Sequence, residues 1–206
     1  MSPPLLAWIV TLALAGGAGF ALGAWWARRS RQQPRADVPL REGDTRLPNR
    51  AAALDQLPRA LSLAERRGLT VTLLWIVVDQ PSARHDAQQR ADLDLAHRLL
   101  PRLRTHEMLT HWGPGQFLLL LPDADVPSAL VLASDLRQLA GAVPPEGAAD
   151  APAAAVAATS ISIGVHGRRP HGAQDWRELA AEMVIAVQRV LEITVANGPG
   201  RIEIEP

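Results

Sequence analysis

Hydrophobic and polar positions follow two patterns after residue 44, and each predicts its own kind of element. Helical spacing of apolar residues predicts helices over Ala51 to Arg67, Arg90 to Arg104, Val126 to Leu139 and Trp176 to Val195. Short apolar and β-branched runs predict strands over Thr70 to Val78, Met108 to Trp112, Phe117 to Leu121, Thr159 to Val165 and Arg201 to Glu205. The mixed order predicts an α/β fold, with a central sheet flanked by helices.

Four local features refine this prediction. The run from Thr70 to Val78 is apolar without alternation, which is typical of a strand buried on both faces. Gly113-Pro114-Gly115-Gln116 lies between two strand-like runs and predicts a β-hairpin turn. Pro58 should kink or break the first helix, because proline has no N–H to donate. Val143 to Val156 is rich in Pro and Ala and predicts a surface excursion without regular structure.

The N-terminal segment has a different pattern, an uncharged apolar run from Leu5 to Ala27. As a helix this run would reach roughly 34 Å, enough to cross the hydrocarbon core of a bilayer. Tryptophans lie near its ends and arginines follow it, namely Trp8, Trp25, Trp26, Arg28, Arg29, Arg31 and Arg35. The positive-inside rule then predicts a single-pass bacterial inner-membrane protein with a cytoplasmic C-terminal domain.

A cleaved signal peptide is the alternative, but it would carry its positive charge before the apolar run. We therefore predict an anchor over residues 1–29, a linker over residues 30–43 and a domain over residues 44–206. Ala15, Gly19 and Gly23 recur at four-residue spacing, a small-residue stripe that lets two membrane helices approach closely. A homodimer through this stripe is one candidate assembly.

Composition excludes several classes of function. The formal net charge is zero, which argues against nucleic acid as a partner because phosphate binding needs a basic excess. The chain has no cysteine, so neither a disulfide framework nor a thiolate metal site is available.

Three segments together resemble a GGDEF domain, the palm-like fold of bacterial diguanylate cyclases. Thr45 to Arg50 ends in the letters LPNR, similar to the signature that opens that domain. The turn and its flanks, Trp112 to Phe117, stand where the family has its GGDEF motif, and Ser160 to Val165 is similar to its VSIGV strand. The resemblance covers roughly residues 44–206 and implies a nucleotidyl-cyclase-like fold.

Such cyclases join two GTP molecules with the help of Mg²⁺, which requires carboxylate ligands. The resemblance implies acids at the third and fourth motif positions and on the first buried strand. Here these positions hold Gly115, Gln116 and Val77, and Pro114 replaces the second glycine of a motif that reads Gly113, Pro114, Gly115, Gln116, Phe117. We therefore predict a degenerate motif, no catalytic residue, no metal ligand, no cofactor and no enzymatic activity.

The remaining polar residues near these positions have a simpler interpretation. Asp79, Asp86, Asp92 and Asp94 fall in the stretch that contacts the guanine base in intact family members. We interpret them as a solvated loop and helix N-terminus, where the helix dipole favours acids. His106 and His111 flank the strand before the turn, and we interpret them as surface or packing residues.

One binding signature of the family has a counterpart. Many members carry an inhibitory RxxD site for cyclic di-GMP just before GGDEF, and the equivalent positions here are Arg104 and Glu107. A guanidinium can clamp a phosphate and a carboxylate can accept hydrogen bonds from guanine. The supporting second arginine of the family has no clear equivalent, because Asp135 takes its place and Arg137 follows two residues later.

Two functions from different classes follow. The first is a membrane-anchored, catalytically inactive GGDEF-like domain that docks onto a cytoplasmic or membrane protein of a secretion, polysaccharide or motility machinery. The second is a cyclic di-GMP receptor that uses Arg104 and Glu107. An active diguanylate cyclase is the least favoured alternative.

Overall fold

The computed structural model describes residues 47–142, 158–172 and 175–205. Four α-helices and five strands lie in this part of the chain. In chain order they are α1 Arg50–Arg67, β1 Val71–Val78, α2 His85–Leu99, β2 Met108–Gly113, β3 Gln116–Leu121, α3 Val126–Gly141, β4 Ile161–Arg168, α4 Trp176–Ala196 and β5 Ile202–Ile204. The predicted α/β class and the order of the elements are therefore confirmed for the described residues.

The five strands form one sheet in the order β2-β3-β1-β4-β5. All neighbouring strands are antiparallel except β4 and β5, which are parallel. Strand β1 lies in the centre, where Trp75 pairs with Leu118 of β3 on one side and Gly164 of β4 on the other. This position explains its unbroken apolar sequence, because both faces of a central strand are covered by helices.

Side chains of β1 alternate between two separate cores. Leu74 and Ile76 pack on one face against helices α2 and α3. Leu73 and Trp75 pack on the opposite face against helices α1 and α4. Since the side-chain period of a strand is two, this alternation fixes the register of the central strand relative to both helix layers.

Two predicted helices differ from the observed ones. Helix α1 runs unbroken through Pro58, although we expected a kink or a break there. Helix α2 begins at His85 instead of Arg90, and it ends at Leu99, where a 3₁₀ turn over Leu100–Arg102 follows. Pro101 accounts for the early end, because proline is tolerated in the first turn of a helix and disrupts its interior.

Several sequence predictions lie outside the described residues. These are the apolar run Leu5 to Ala27 with its stripe Ala15, Gly19 and Gly23, the linker, the residues Thr45 and Arg46 that precede LPNR, and the excursion Val143 to Val156. Among the helices that the structure describes, none has the length and apolar character needed to cross a bilayer.

Candidate functional site

The hairpin turn between β2 and β3 lies at the end of the sheet where β1 also ends. The amide of Val78 donates to the Gly115 carbonyl over 2.9 Å, which ties the turn to β1. Gly115 has a φ of 68°, a left-handed conformation that glycine adopts without strain. Val77 is in register with Gln116 of β3 and with Ser162 of β4. The three positions where the resemblance implies acids, Val77, Gly115 and Gln116, therefore lie together here.

A buried carboxylate holds this turn from inside. Asp92 of α2 is 1% exposed, and the Gly115 amide donates to its two oxygens over 2.9 and 3.2 Å. Gln88 donates from Nε2 to Asp92 over 2.6 Å, and His111 Nε2 lies 3.1 Å from the second Asp92 oxygen. The interpretation of Asp92 as a solvated residue is therefore wrong. A charge this deeply buried needs such partners, because desolvation costs several kcal/mol without them.

The two histidines and the acids Asp86 and Asp94 differ in their exposure to solvent. His111 is 9% exposed, and its ring meets the edge of Phe117 at a centroid distance of 5.3 Å. Packing is thus one of its roles, as predicted, and the contact with Asp92 is a second role that the sequence did not indicate. His106, Asp86 and Asp94 are exposed, in agreement with their interpretation as surface residues.

Asp79 follows β1 directly and is engaged by three donors. The hydroxyls of Ser160 and Ser162 and the amide of Gly200 all donate to its carboxylate, the last over 2.8 Å. These donors come from the start of β4 and from the segment between α4 and β5. Asp79 is half-exposed in a bend, as a loop residue would be, but it also connects the central strand to the C-terminal segment, a role that the sequence did not indicate.

The residues present do not fit the Mg²⁺ that the resemblance implies. Val77 has an aliphatic side chain, Gly115 has none, and Gln116 is neutral. A side chain at position 115 would also place its Cβ 3.2 Å from Gln88 Nε2 in a backbone conformation that disfavours it. Within the described residues, no group of three or more His, Asp or Glu side chains could hold a metal ion.

The LPNR segment supports the turn from the other side of β2. Asn49 caps helix α1, because its side-chain oxygen accepts from the Ala52 amide over 3.1 Å. The Arg50 guanidinium lies over the ring of Trp112, 4.7 Å from its centroid, and Trp112 meets Trp75 edge-on at 4.9 Å. The amide of His111 donates to the Pro48 carbonyl over 3.0 Å. These contacts give the segment a structural role in this chain.

The predicted ligand-binding pair lies in an exposed turn between the 3₁₀ turn and β2. Glu107 accepts from the Arg104 amide over 2.8 Å through Oε2, and the Glu107 amide donates back to the Arg104 carbonyl over 3.0 Å. The two residues are thus neighbours, and the Arg104 side chain is exposed. Arg137 is used elsewhere, since it donates to the Gly200 carbonyl over 2.8 Å.

Comparisons with known proteins give one consistent result. No family profile matches the chain, and no curated protein matches its sequence. Solved structures do match, among them diguanylate cyclase SiaD from Pseudomonas aeruginosa in complex with its activator SiaC. That match has 21% identity, covers 98% of this chain and 80% of SiaD, and has a TM-score of 0.67. The fold is that of a GGDEF domain.

Two further GGDEF structures agree. The GGDEF domain of DgcB from Caulobacter crescentus, in complex with c-di-GMP, has 18% identity, covers 80% of this chain and 92% of that domain, and has a TM-score of 0.66. The FimX GGDEF domain from Pseudomonas aeruginosa has 18% identity, covers 82% of this chain and all of that domain (100%), and has a TM-score of 0.62. The predicted resemblance is therefore confirmed at the level of the fold.

The sequence contained a signal for the one site residue whose environment we misjudged. Gln88, Asp92, Leu95 and Leu99 recur at spacings of four, three and four, and all four are buried on the same face of α2. Two polar residues on an otherwise apolar helical face indicate a buried hydrogen-bond network. Because the predicted helix began at Arg90, Gln88 fell outside it and the pattern was incomplete.

Proposed function

We propose that this chain is a catalytically inactive GGDEF-fold module that docks onto a protein partner at the cytoplasmic face of the bacterial inner membrane. The observation that carries the proposal is the state of Asp79 and Asp92. Both carboxylates next to the turn accept hydrogen bonds from donors within the domain. The positions where the family has metal ligands hold Val77, Gly115 and Gln116, so no carboxylate there is left to hold Mg²⁺ on a triphosphate.

The turn backbone supports the same proposal. An amide that contacts a phosphate must point to the ligand without an internal acceptor, but the Gly115 amide already donates to Asp92. Pro114 is exposed beside it and has no N–H to offer. A nucleotide phosphate that approached this turn would meet a buried carboxylate in place of a free donor, and like charges repel.

Purified full-length protein incubated with GTP and Mg²⁺ or Mn²⁺ tests this proposal. We expect no cyclic di-GMP by chromatography and mass spectrometry. A variant with acids restored at Val77, Gly115 and Gln116 should also be inactive, because residue 115 has a positive φ and Gln88 next to its Cβ position. Turnover by the unmodified protein would refute the proposal.

The membrane location is part of this proposal and rests on the apolar run Leu5 to Ala27 and the arginines that follow it. A reporter that is active only in the cytoplasm, fused after Pro206, should be active. The mature protein should retain Leu5 to Ala27. SiaD, which shares the fold, has a protein activator bound to it, which supports a protein partner for this domain as well. Periplasmic reporter activity would contradict the location.

A second candidate function is a cyclic di-GMP receptor, favoured by the exposed turn that brings Arg104 and Glu107 together. The DgcB domain of similar fold was solved with c-di-GMP. We expect this chain to bind cyclic di-GMP with micromolar affinity, a binding free energy of about −8 kcal/mol. Arg104→Ala should weaken binding about tenfold or more in isothermal titration, because a charge-assisted phosphate contact contributes about 1.5–3 kcal/mol.

Arg102→Ala is the matched control for the receptor function. Arg102 is also exposed, ends the 3₁₀ turn and lies outside the pair, and its loss changes the net charge identically. Equal losses from both variants would indicate general electrostatic attraction. No binding by the unmodified protein would leave the interaction module as the proposed function.

A further inference from the structure

Exposed arginines from two chain segments converge at the end of the domain opposite the turn. Arg66 and Arg67 occupy the last turn of α1. Arg168 ends β4, in register with Val71 at the start of β1, and Arg169 follows it. The Arg169 guanidinium lies 3.2 Å from the Cβ position of Gly68, the residue that caps α1. We call these four residues, Arg66, Arg67, Arg168 and Arg169, the arginine surface.

The arginine surface keeps a net positive charge on its side of the sheet, although acids lie near it. Among the residues that the structure describes, none of the four guanidinium groups forms an ion pair; the ion pairs there join Asp55 with Arg59 and Glu205 with His166 and Arg189, besides the buried pair at the turn. Glu65 is half-buried beside it. The N-terminal end of α4 lies at the same end of the domain, and its residues Asp175, Arg177 and Glu178 together add one net negative charge.

Two further acids limit the surface to one side of the sheet. Asp123 and Asp125 lie at the same end but belong to the connection between β3 and α3, and Asp125 accepts from the Ser128 amide. Burial lowers the pKa of His166, which precedes Arg168 on β4, while the charge of Glu205 raises it more than the charge of Arg168 lowers it.

We propose that the arginine surface docks the domain onto anionic phospholipid headgroups of the membrane that anchors the chain. The proposal rests on the proposed function, since the predicted anchor keeps the domain close to the bilayer. Residues 28–46 would extend at most roughly 65 Å, so the far end of the domain is within reach of the membrane. A guanidinium pairs well with phosphate, and each basic residue near an anionic membrane strengthens attachment about fivefold.

The tether explains why lipid is favoured over an acidic protein. A bilayer attached to the same chain is present at high effective concentration, so a surface of four charges is sufficient for attachment. A separate protein would have to compensate for the loss of its translational freedom, which normally requires a larger and partly apolar interface. On this side of the sheet, the four exposed arginines and Arg177 outnumber the acids Glu65, Asp175 and Glu178, and this excess of cations suits a layer of phosphate groups.

The absence of cysteine from the chain allows a direct test with the full-length protein. His171→Cys places a single thiol beside the arginine surface, and Ala83→Cys places one at the turn end. Each variant is labelled with an environment-sensitive dye and placed in nanodiscs that contain a headgroup spin-labelled lipid. We expect quenching at position 171 in discs with phosphatidylglycerol, little quenching in phosphatidylcholine discs, and none at position 83.

Charge variants in the 171-labelled chain identify the contact. Arg168→Glu with Arg169→Glu should reduce the attached fraction at least tenfold, and the milder Arg168→Gln with Arg169→Gln should give an intermediate loss if reversal impairs folding. Arg84→Glu with Arg90→Glu, an equal charge change on exposed residues of the opposite helix layer, should have no effect. Equal quenching in both kinds of disc, or quenching that the reversal leaves unchanged, would overturn the proposal.

Two outcomes separate this inference from the proposed function. If the reversal abolishes partner co-purification while position 171 is never quenched, an acidic protein is the ligand and the lipid proposal is overturned. If the chain fails to insert into the discs, the membrane-anchored function fails first. The arginine surface is then tested by flotation with added vesicles, where binding to phosphatidylglycerol but not phosphatidylcholine supports it and no binding overturns it.

Discussion

Strand β2 is flanked by two turns that are held in opposite ways. The turn after it, Gly113 to Gln116, is fixed from inside by Asp92, a carboxylate that is 1% exposed. The turn before it, Arg104 to Glu107, is held by the Glu107 carboxylate at the surface. In both turns a backbone amide donates to a carboxylate, but the bond is buried in one turn and at the surface in the other.

The difference between the two turns bears on the proposed receptor function. A buried hydrogen bond to a charge is costly to break, because the separated donor and acceptor stay buried and gain no hydrogen bond to water in exchange. An exposed carboxylate can exchange its amide partner for a ligand at little cost, since water competes for it already. Under the proposed receptor function, binding is thus expected at the Arg104–Glu107 turn, while the Gly113–Gln116 turn is a fixed part of the fold.

Replacement of Asp92 by alanine should have the largest effect. It leaves the Gly115 amide and the Gln88 side chain without their buried acceptor, so we expect a loss of about 3 kcal/mol in the free energy of unfolding, measured with urea. Asp94→Ala is the control, two residues along the same helix and exposed. A loss below about 1 kcal/mol for Asp92→Ala would mean that the turn is not held from inside.

Asp79→Ala should have the next largest effect. The carboxylate accepts from Ser160, Ser162 and Gly200, but part of this network is exposed, so we expect a loss of about 2 kcal/mol. Hydrogen exchange should accelerate in β5 and leave β2 unchanged, because only the C-terminal segment is released. Asp86→Ala, an exposed acid at the start of α2, is the control. Uniform acceleration in every strand would contradict this local role.

The sequence was most informative where local and tertiary preferences agree. The unbroken run Thr70 to Val78 predicted the central strand to within one residue, and Gly-Pro-Gly between apolar runs predicted the hairpin. The burial of Asp92 had a local signal in the spacing of Gln88, Asp92, Leu95 and Leu99, but the backbone donors to Asp79 and Asp92 had none, because Gly200 and Gly115 are distant in the sequence. Pro58 misled us because helix packing overrides a local preference when the helix is buried along one face.

Gly115→Ala tests the turn through its backbone. The positive φ disfavours a side chain and Gln88 Nε2 lies 3.2 Å from the new Cβ, so we expect a loss of about 1.5 kcal/mol. Gly113→Ala is a close control in the same turn, since a Cβ there would meet nothing within 4 Å. Equal effects of the two substitutions in thermal unfolding would show that general flexibility, and not this conformation, decides the stability of the turn.

Glu107→Ala should have the smallest effect on stability, about 0.5 kcal/mol or less, because water replaces the carboxylate at the Arg104 amide. If the domain binds cyclic di-GMP, Glu107→Ala should reduce the binding free energy by more than it reduces the free energy of unfolding, since the carboxylate would then contact the ligand directly. Glu107→Gln keeps the length and an acceptor oxygen but removes the charge, so it should preserve the turn and weaken only binding. A loss of stability from Glu107→Ala as large as that from Asp92→Ala would remove the contrast between the two turns. The Arg104–Glu107 turn would then be a second fixed element of the fold, and the Glu107 carboxylate would not be available for a ligand as the receptor function requires.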